Sequence, residues 1–182
     1  MSTSRAQRIG IWTIAIVMAV GTIGGYFLII VENENRNRIA QQAQEEQQKA
    51  QERASKPAEA LPGYKAEKFD AKKVKELKTE DLKKGNGKEV KEGAQIEVNY
   101  FGWTPDGKIF DSTNRGGEVE PIGLSLGGVI EGWSKGLVGA KEGSTRKLII
   151  PAKQAYGEQG SGSSIPPNTP LTFIVEITKV TS

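Results

Sequence analysis

One short stretch, Val129–Gly139, constrains the fold of this chain more than any other. Trp133 and Leu137 are spaced as neighbours on one face of a helix, and Gly139 follows as a stop signal. It is the only convincing helix in the C-terminal half, and the segments around it alternate like strands. We therefore expect a sheet wrapped on a single short helix, with Trp133 buried where the two meet.

The segments around this helix have the patterns of strands. A first strand is expected around Val74, Leu77 and Leu82, before the turn signal Gly85–Gly87, and in a second strand Tyr100 falls on the core face. Further strands are predicted at residues 108–111, 145–150 and 171–177. The last of these is expected to close the sheet, with Phe173 and Val175 on one face.

An uncharged run, Ile9–Val31, precedes all of these segments. As a helix it would be roughly 34 Å long at about 1.5 Å per residue, enough to cross a hydrocarbon core of about 30 Å. It is longer than the apolar core of a signal peptide and lacks a clear small-x-small cleavage site after it. We predict an uncleaved transmembrane signal anchor, with the tail Met1–Arg8 in the cytoplasm and the large C-terminal part outside.

Residues 32–63 are expected to connect this anchor to a globular domain at residues 64–182. The connecting segment is rich in Gln, Glu and Ala and has too little apolar surface for a coiled coil, so we predict a solvated helical stalk or a partly disordered spacer. Pro57 and Pro62 end it. Gly21 and Gly25 form a small-xxx-small pair that could join two membrane helices, which leaves a homodimer as an alternative to a monomer.

The composition excludes several kinds of chemistry. The chain has no Cys and no His, which removes thiol nucleophiles, disulfides, imidazole bases and the usual ligands of zinc or nickel. The net charge is only +3, and the lysines between Lys65 and Lys91 are interleaved with acidic residues. We therefore expect no metal, no cofactor and no nucleic-acid partner.

Six short motifs occur in a fixed order over about Val74 to Val180. They are Val98–Gly102, Asp106–Ser112, Val129–Trp133, Ile150–Pro151, Ala155–Gly157 and Ile165–Thr169. Together they resemble the FKBP-type peptidyl-prolyl isomerases in order and approximate spacing. The resemblance implies an α+β fold, in which a twisted antiparallel sheet is wrapped around one short helix with a shallow apolar pocket between them.

The resemblance also implies roles for individual residues. Trp133 would be the pocket floor under the substrate proline ring, Ile130 would offer its backbone N–H to a substrate carbonyl, and Tyr156 its hydroxyl to another. Asp111 would lie at the pocket edge, hydrogen-bonded to Tyr100 or to a polarised carbonyl. We assign catalysis to Tyr100, Phe110, Asp111, Trp133, Tyr156 and Phe173, and substrate binding to Ile122, Leu124, Val129, Ile130 and Ile165, the last as part of a lid.

These expectations lead to a functional hypothesis. Rotation about an X-Pro amide has a barrier of about 18–20 kcal/mol, and a dry apolar cleft favours the less polar twisted amide without any bond-making group. We expect a membrane-anchored isomerase that acts on proline-containing polypeptides on the outer side of the cytoplasmic membrane. The alternatives are a non-catalytic proline-binding or chaperone module, and a membrane-anchored assembly factor that dimerises through Gly21 and Gly25.

Overall fold

The computed structural model describes Arg36 and residues 38–181. The chain divides into two compact units, Met1–Glu52 and Arg53–Ser182. The described residues of the first unit are helical, and this helix, α1, continues through residue 55 with mostly exposed side chains. Of the stalk predicted at residues 32–63, the described residues are helical up to residue 55, whereas residues 56–63 are not helical and include the strand Ala58–Glu59.

The predicted membrane anchor, Ile9–Val31, lies outside the described residues. Within the part of the chain that the structure describes, no helix is long and apolar enough to cross a membrane.

The described residues of the second unit form nine strands and a short helix, α2, at Glu131–Gly136. Six strands form one sheet in the order β2-β8-β9-β3-β4, with β7 also paired to β3, and all of these pairs are antiparallel. A second sheet has the order β1-β5-β6. The strands are β1 Ala58–Glu59, β2 Lys78–Lys83, β3 Gln95–Trp103, β4 Ile109–Ser112, β5 Asn114–Arg115, β6 Glu118–Val119, β7 Ile122–Ser125, β8 Thr145–Ile150 and β9 Leu171–Thr181. The predicted antiparallel sheet with one short helix is confirmed.

Two strands differ from the sequence prediction. β2 begins only at Lys78, and all six of its residues are exposed at the sheet edge. β9 does not close the sheet, because it pairs with both β3 and β8 and so lies inside it. The physical reason is that Leu171–Val175 are all buried, so both faces of this strand are covered by other parts of the protein.

Two glycines bring α2 unusually close to the sheet. A Cβ atom at Gly132 would overlap the side chain of Ile150, and one at Gly136 would lie 2.8 Å from Leu148 Cδ2. These glycines are one helical turn apart, so they form a smooth face that packs directly on β8. This packing fixes the position of Trp133, which follows the first glycine.

Arg146 on β8 holds the other end of the helix. Its Nη1 donates to the carbonyl oxygens of Gly136 at 2.9 Å and Val138 at 3.2 Å, which satisfies carbonyls that have no helical partner. The same guanidinium forms an ion pair with Asp81 on β2, with Nε 2.5 Å from Oδ1. The helix, β8 and the edge strand are therefore joined at one residue.

Successive side chains on the central strands enter two separate cores, one on each face of the sheet. The inner core lies on the helix side and includes Trp133 and Phe173. The outer core lies on the opposite face and consists of Leu61, Phe101, Trp103 and Ile174, with partly buried Ala60, Tyr64, Ala66, Phe69 and Ile109. The segment at residues 60–69 thus covers the outer face, and the compact unit begins before the Tyr64 boundary predicted from the sequence.

Candidate active site

A cavity of about 410 Å³ opens between the start of α2 and the inner face of the sheet. Its lining is mostly aromatic and aliphatic and contains Asp111 as its one charged residue. The lining consists of Tyr100, Phe110, Asp111, Ile122, Leu124, Gly128, Val129, Ile130, Trp133, Tyr156 and Phe173. The structure therefore brings together all of the site residues predicted from the sequence except Ile165.

Four aromatic rings form the base and wall of the cavity. Trp133 meets Tyr100 edge to face with ring centroids 5.1 Å apart, and it meets Phe173 in the same way at 5.3 Å. Phe173 in turn contacts Phe110 at 5.6 Å with an interplanar angle of 89°. Aromatic pairs prefer such edge-to-face arrangements, which fix each ring relative to the next. The cavity therefore has rigid apolar walls.

Gly102 makes room for two of these rings. A Cβ atom at this position would lie 2.6 Å from Phe173 Cδ1 and 2.7 Å from Phe110 Cζ, closer than carbon atoms can pack. Gly102 is not among the site residues predicted from the sequence, although it lies in the motif at residues 98–102. The signal was a glycine inside a strand, which often marks close approach of another group.

A polar group lies at the cavity edge around Asp111. The Tyr100 hydroxyl donates to Asp111 Oδ2, while Oδ1 accepts from Arg115 Nη2 at 2.7 Å and from the Ser112 backbone N–H at 2.9 Å. Asp111 was predicted to hydrogen-bond either to Tyr100 or to a polarised carbonyl, and in the structure it bonds to Tyr100. Burial, the hydrogen bond to Asp111 and its negative charge hold the pKa of Tyr100 well above the ordinary value, so the hydroxyl stays protonated.

Tyr156 and Ile130 each bring to the cavity a potential hydrogen-bond donor that has no partner among the described residues. The Tyr156 side chain is 39% exposed at the mouth, and its hydroxyl makes no hydrogen bond to the described residues. Burial and, secondarily, the charge of Asp111 raise its pKa. The backbone N–H of Ile130, just before α2, likewise makes no hydrogen bond to the described residues. Both groups are positioned to donate to a ligand in the cavity.

Ile165 is not among the residues that line the cavity, and its place in a lid stays a prediction. Ile165 is 4% exposed and belongs to the inner core, and its backbone forms two hydrogen bonds with Ser161. No group of three or more acidic side chains that could hold a metal ion occurs among the described residues.

Comparison with known proteins gives the family of this chain. The profile of the FKBP-type peptidyl-prolyl cis-trans isomerases matches residues 86–178. An FK506-binding protein of Neisseria meningitidis serogroup A is 46% identical over 101 residues, which are 56% of this chain and 93% of that protein. A probable FKBP-type peptidyl-prolyl cis-trans isomerase of Haemophilus influenzae is 42% identical over 53% of this chain and 39% of its own length.

Solved structures have the same architecture. The crystal structure of a peptidyl-prolyl cis-trans isomerase from Pseudomonas syringae pv. tomato superposes with a TM-score of 0.53 at 37% identity, covering 58% of this chain and 76% of that one. AtFKBP13 gives a TM-score of 0.52 at 34% identity, covering 58% of this chain and 93% of that one. The profile match, the relatives and the shared fold agree, and the chain belongs to the FKBP-type peptidyl-prolyl cis-trans isomerases.

Proposed function

We propose that the cavity speeds cis/trans exchange by binding an X-Pro segment with its amide partly rotated. The planar amide is stabilised by resonance and charge separation, and the barrier of about 18–20 kcal/mol reflects their loss on rotation. An apolar, water-poor site disfavours the polar planar form more than the twisted form, which lowers the barrier. The observation that carries this proposal is the aromatic and aliphatic lining of the cavity.

Each predicted site residue that lines the cavity has a role in this proposal. The proline ring rests on Trp133, the N–H of Ile130 donates to one substrate carbonyl, and the Tyr156 hydroxyl donates to another. Neither of these last two groups has a hydrogen-bond partner among the described residues, which supports their roles. Asp111 orients Tyr100 at the edge. Tyr100, Phe110, Val129 and Phe173 form the walls, and Ile122 and Leu124 contact the residue before proline.

The test is isomerisation of a short X-Pro peptide by the purified full-length chain. We expect Trp133→Ala to lower kcat/KM by at least about tenfold, which corresponds to about 1.4 kcal/mol. Tyr156→Phe should lower it less, and Tyr64→Phe in the outer core should leave it unchanged. A folded Trp133→Ala variant with full activity would contradict the pocket mechanism and favour an isomerase site elsewhere.

We further propose that residues 9–31 anchor the chain in the cytoplasmic membrane, with the isomerase unit on the outer side. The support is the uncharged run behind a short N-terminal tail. Because the chain has no cysteine, a single introduced thiol reports topology without background. The exposed Ser163 should, as Ser163→Cys, react with a membrane-impermeant thiol reagent on intact cells, whereas Ser4→Cys should not. The reverse pattern would place the isomerase unit in the cytoplasm.

Proline-containing polypeptides outside the cytoplasm are the proposed substrates, and the chain is proposed to assist their folding. Uncatalysed X-Pro isomerisation takes tens to hundreds of seconds and limits the folding of many chains. Pairing of two chains through Gly21 and Gly25 stays a prediction. Crosslinking of the full-length chain and of a Gly21→Leu/Gly25→Leu variant tests it, since only the first should give a dimer.

A further inference from the structure

The segment Arg53–Leu61, here called the strap, lies before the residues matched by the family profile and pairs with a hairpin next to the active site. Its partner is the rim hairpin, defined as Thr113–Glu120, which contains β5 and β6. The rim hairpin directly connects β4, which carries Phe110 and Asp111, to β7, which carries Ile122 and Leu124. All four of these residues line the cavity. The strap is therefore one strand away from the site.

The backbone of the strap is joined to the rim hairpin along its length. β1 pairs antiparallel with β5, Ala58 facing Arg115 and Glu59 facing Asn114. The Gly116 N–H donates to the Pro57 carbonyl at 3.2 Å, and the Asn114 amide donates to the Ala60 carbonyl at 2.6 Å. The end of the strap is fixed as well, because Leu61 is 3% exposed in the outer core.

Arg53 at the start of the strap holds the two ends of the rim hairpin together. Its Nη2 donates to the Thr113 carbonyl at 2.7 Å, and its Nη1 lies 2.5 Å from the Glu120 carboxylate. The same Thr113 carbonyl accepts the Glu120 backbone N–H at 3.2 Å. Exposed ion pairs contribute little, but the Arg53 side chain is only 24% exposed and also binds a backbone carbonyl. Arg53 therefore links the first and last residues of the rim hairpin.

The opposite side of the rim hairpin holds the polar edge of the cavity. Thr113 Oγ1 accepts the Tyr100 backbone N–H at 2.8 Å, and the Thr113 N–H donates to the Tyr100 carbonyl at 2.9 Å. Arg115 pairs with Asp111 at 2.7 Å, and Asp111 in turn accepts from the Tyr100 hydroxyl. Thr113 thus contacts Arg53 on one side and a cavity-lining tyrosine on the other.

We propose that Arg53 is a positioning residue of the isomerase site. Arg53 sets the distance between Thr113 and Glu120, the two ends of the rim hairpin. Through Thr113 it positions Tyr100, and through Glu120 it positions the start of β7. Ile122 and Leu124 on β7 are the residues proposed to contact the residue before proline. The distance between the two hairpin ends therefore determines how well an X-Pro segment fits the cavity. The proposal rests on the isomerase function of the cavity and adds a determinant outside the residues that the family profile matches.

The test compares full-length variants at a temperature at which all of them are folded. Arg53→Ala should raise KM for an X-Pro peptide by about threefold to tenfold with kcat changed less than about twofold, because the rim moves and Trp133 does not. Glu120→Gln, which removes the ion pair but leaves the Thr113 hydrogen bond, should raise KM less. Arg53→Lys should fall between wild type and Arg53→Ala. Lys65→Ala is the control, because this substitution also removes one positive charge, here from an exposed ion pair with Glu67.

A purely structural strap would give a different result. The free energy of unfolding, measured in urea, would then fall in Arg53→Ala while KM and kcat stayed at their wild-type values, and this outcome would overturn the proposal. If Arg53→Ala does not fold, Glu120→Gln and Arg53→Lys decide in the same way, a raised KM supporting the proposal and an unchanged one overturning it. An inactive wild type would overturn the isomerase mechanism itself, and this proposal with it.

Discussion

The two faces of the sheet each bury a tryptophan, and the two side chains are treated differently. In the outer core, Trp103 is 2% exposed, stacks on Phe101 with centroids 5.0 Å apart and donates its indole N–H to the Glu67 carbonyl at 2.9 Å. In the inner core, Trp133 is 4% exposed, meets its neighbours edge to face, and its indole N–H has no partner among the described residues. Burial alone does not separate the two.

The difference lies in what each face leaves unfinished. Buried polar groups are nearly always hydrogen-bonded, and close-packed interiors leave few voids. The outer face obeys both rules around Trp103, whereas on the inner face the Trp133 indole N–H, which has no partner in the part of the chain that the structure describes, lies beside a cavity of about 410 Å³. Departures from packing and hydrogen-bonding rules are expected at functional sites. The outer core therefore stabilises the fold, while the inner core also provides the site.

The largest expected effect separates the two tryptophans by stability. Trp103→Ala should lower the free energy of unfolding by about 3–5 kcal/mol, because it empties a filled core and leaves the Glu67 carbonyl unpaired. Trp133→Ala should lower the free energy of unfolding by less, because one side of the Trp133 ring already borders a cavity. Urea unfolding of the two full-length variants measures this difference. Equal losses of stability would mean that the two faces play the same role.

The second prediction concerns the glycine under the phenylalanine rings. Gly102→Ala should lower the free energy of unfolding by about 1–3 kcal/mol through overpacking, and it should lower kcat/KM because Phe110 and Phe173 must move. Gly123→Ala on β7 is the matched control, since a Cβ there meets nothing within 4 Å. The same two assays apply. If both variants behaved like wild type, the cavity walls would be more yielding than the outer core.

The third prediction compares hydroxyl groups on the two faces. Tyr100→Phe removes the hydrogen bond to Asp111 and should lower the free energy of unfolding by about 1.5 kcal/mol. The loss is no larger because the Asp111 carboxylate still accepts from Arg115 and from the Ser112 N–H. Tyr64→Phe in the outer core removes a hydroxyl that makes no hydrogen bond to the described residues and should cost little. Thermal unfolding of both variants tests this. A larger loss for Tyr64→Phe would reverse the comparison.

The smallest effect is confined to alkaline pH. Since the pKa of Tyr100 is raised in the folded protein, an unfolded chain ionises this side chain first, from about pH 10 upward. The unfolded state then binds fewer protons than the folded state, so stability is fully present below about pH 10 and is lost as the pH rises further. Urea unfolding between pH 8 and pH 11 should show a shallower loss for Tyr100→Phe. Identical slopes would argue against a buried tyrosine.

Much of the inner face could be predicted because its signals are local. Trp133 follows a glycine at the start of a helical stretch, and Phe110, Asp111 and Tyr156 occur in short motifs whose order carries the family. Strand alternation placed Phe173 on the same face as Val175. These residues are assigned by patterns of two to seven positions, which a single sequence contains.

The outer face and the rim hairpin could not be predicted in this way. Leu61, Tyr64 and Phe69 are apolar but follow no helical or strand period. Because the segment that ends at residue 63 also contains prolines, its composition predicted a linker rather than part of a core. The contacts of Arg53 with Thr113 and Glu120 join positions about sixty residues apart, and nothing local marks them. Ile165 was assigned to a lid from its motif, although its burial is decided by the core around it.

The mutually perpendicular rings of the cavity have a consequence for spectroscopy. In an edge-to-face pair, hydrogens of one ring point at the face of the next, where the ring current shields them. Some aromatic protons of Tyr100, Trp133, Phe173 and Phe110 should therefore resonate upfield of the crowded aromatic region in an NMR spectrum of the empty protein. A peptide that enters the cavity would shift these same signals, so the site contains its own reporter of occupancy without any added label.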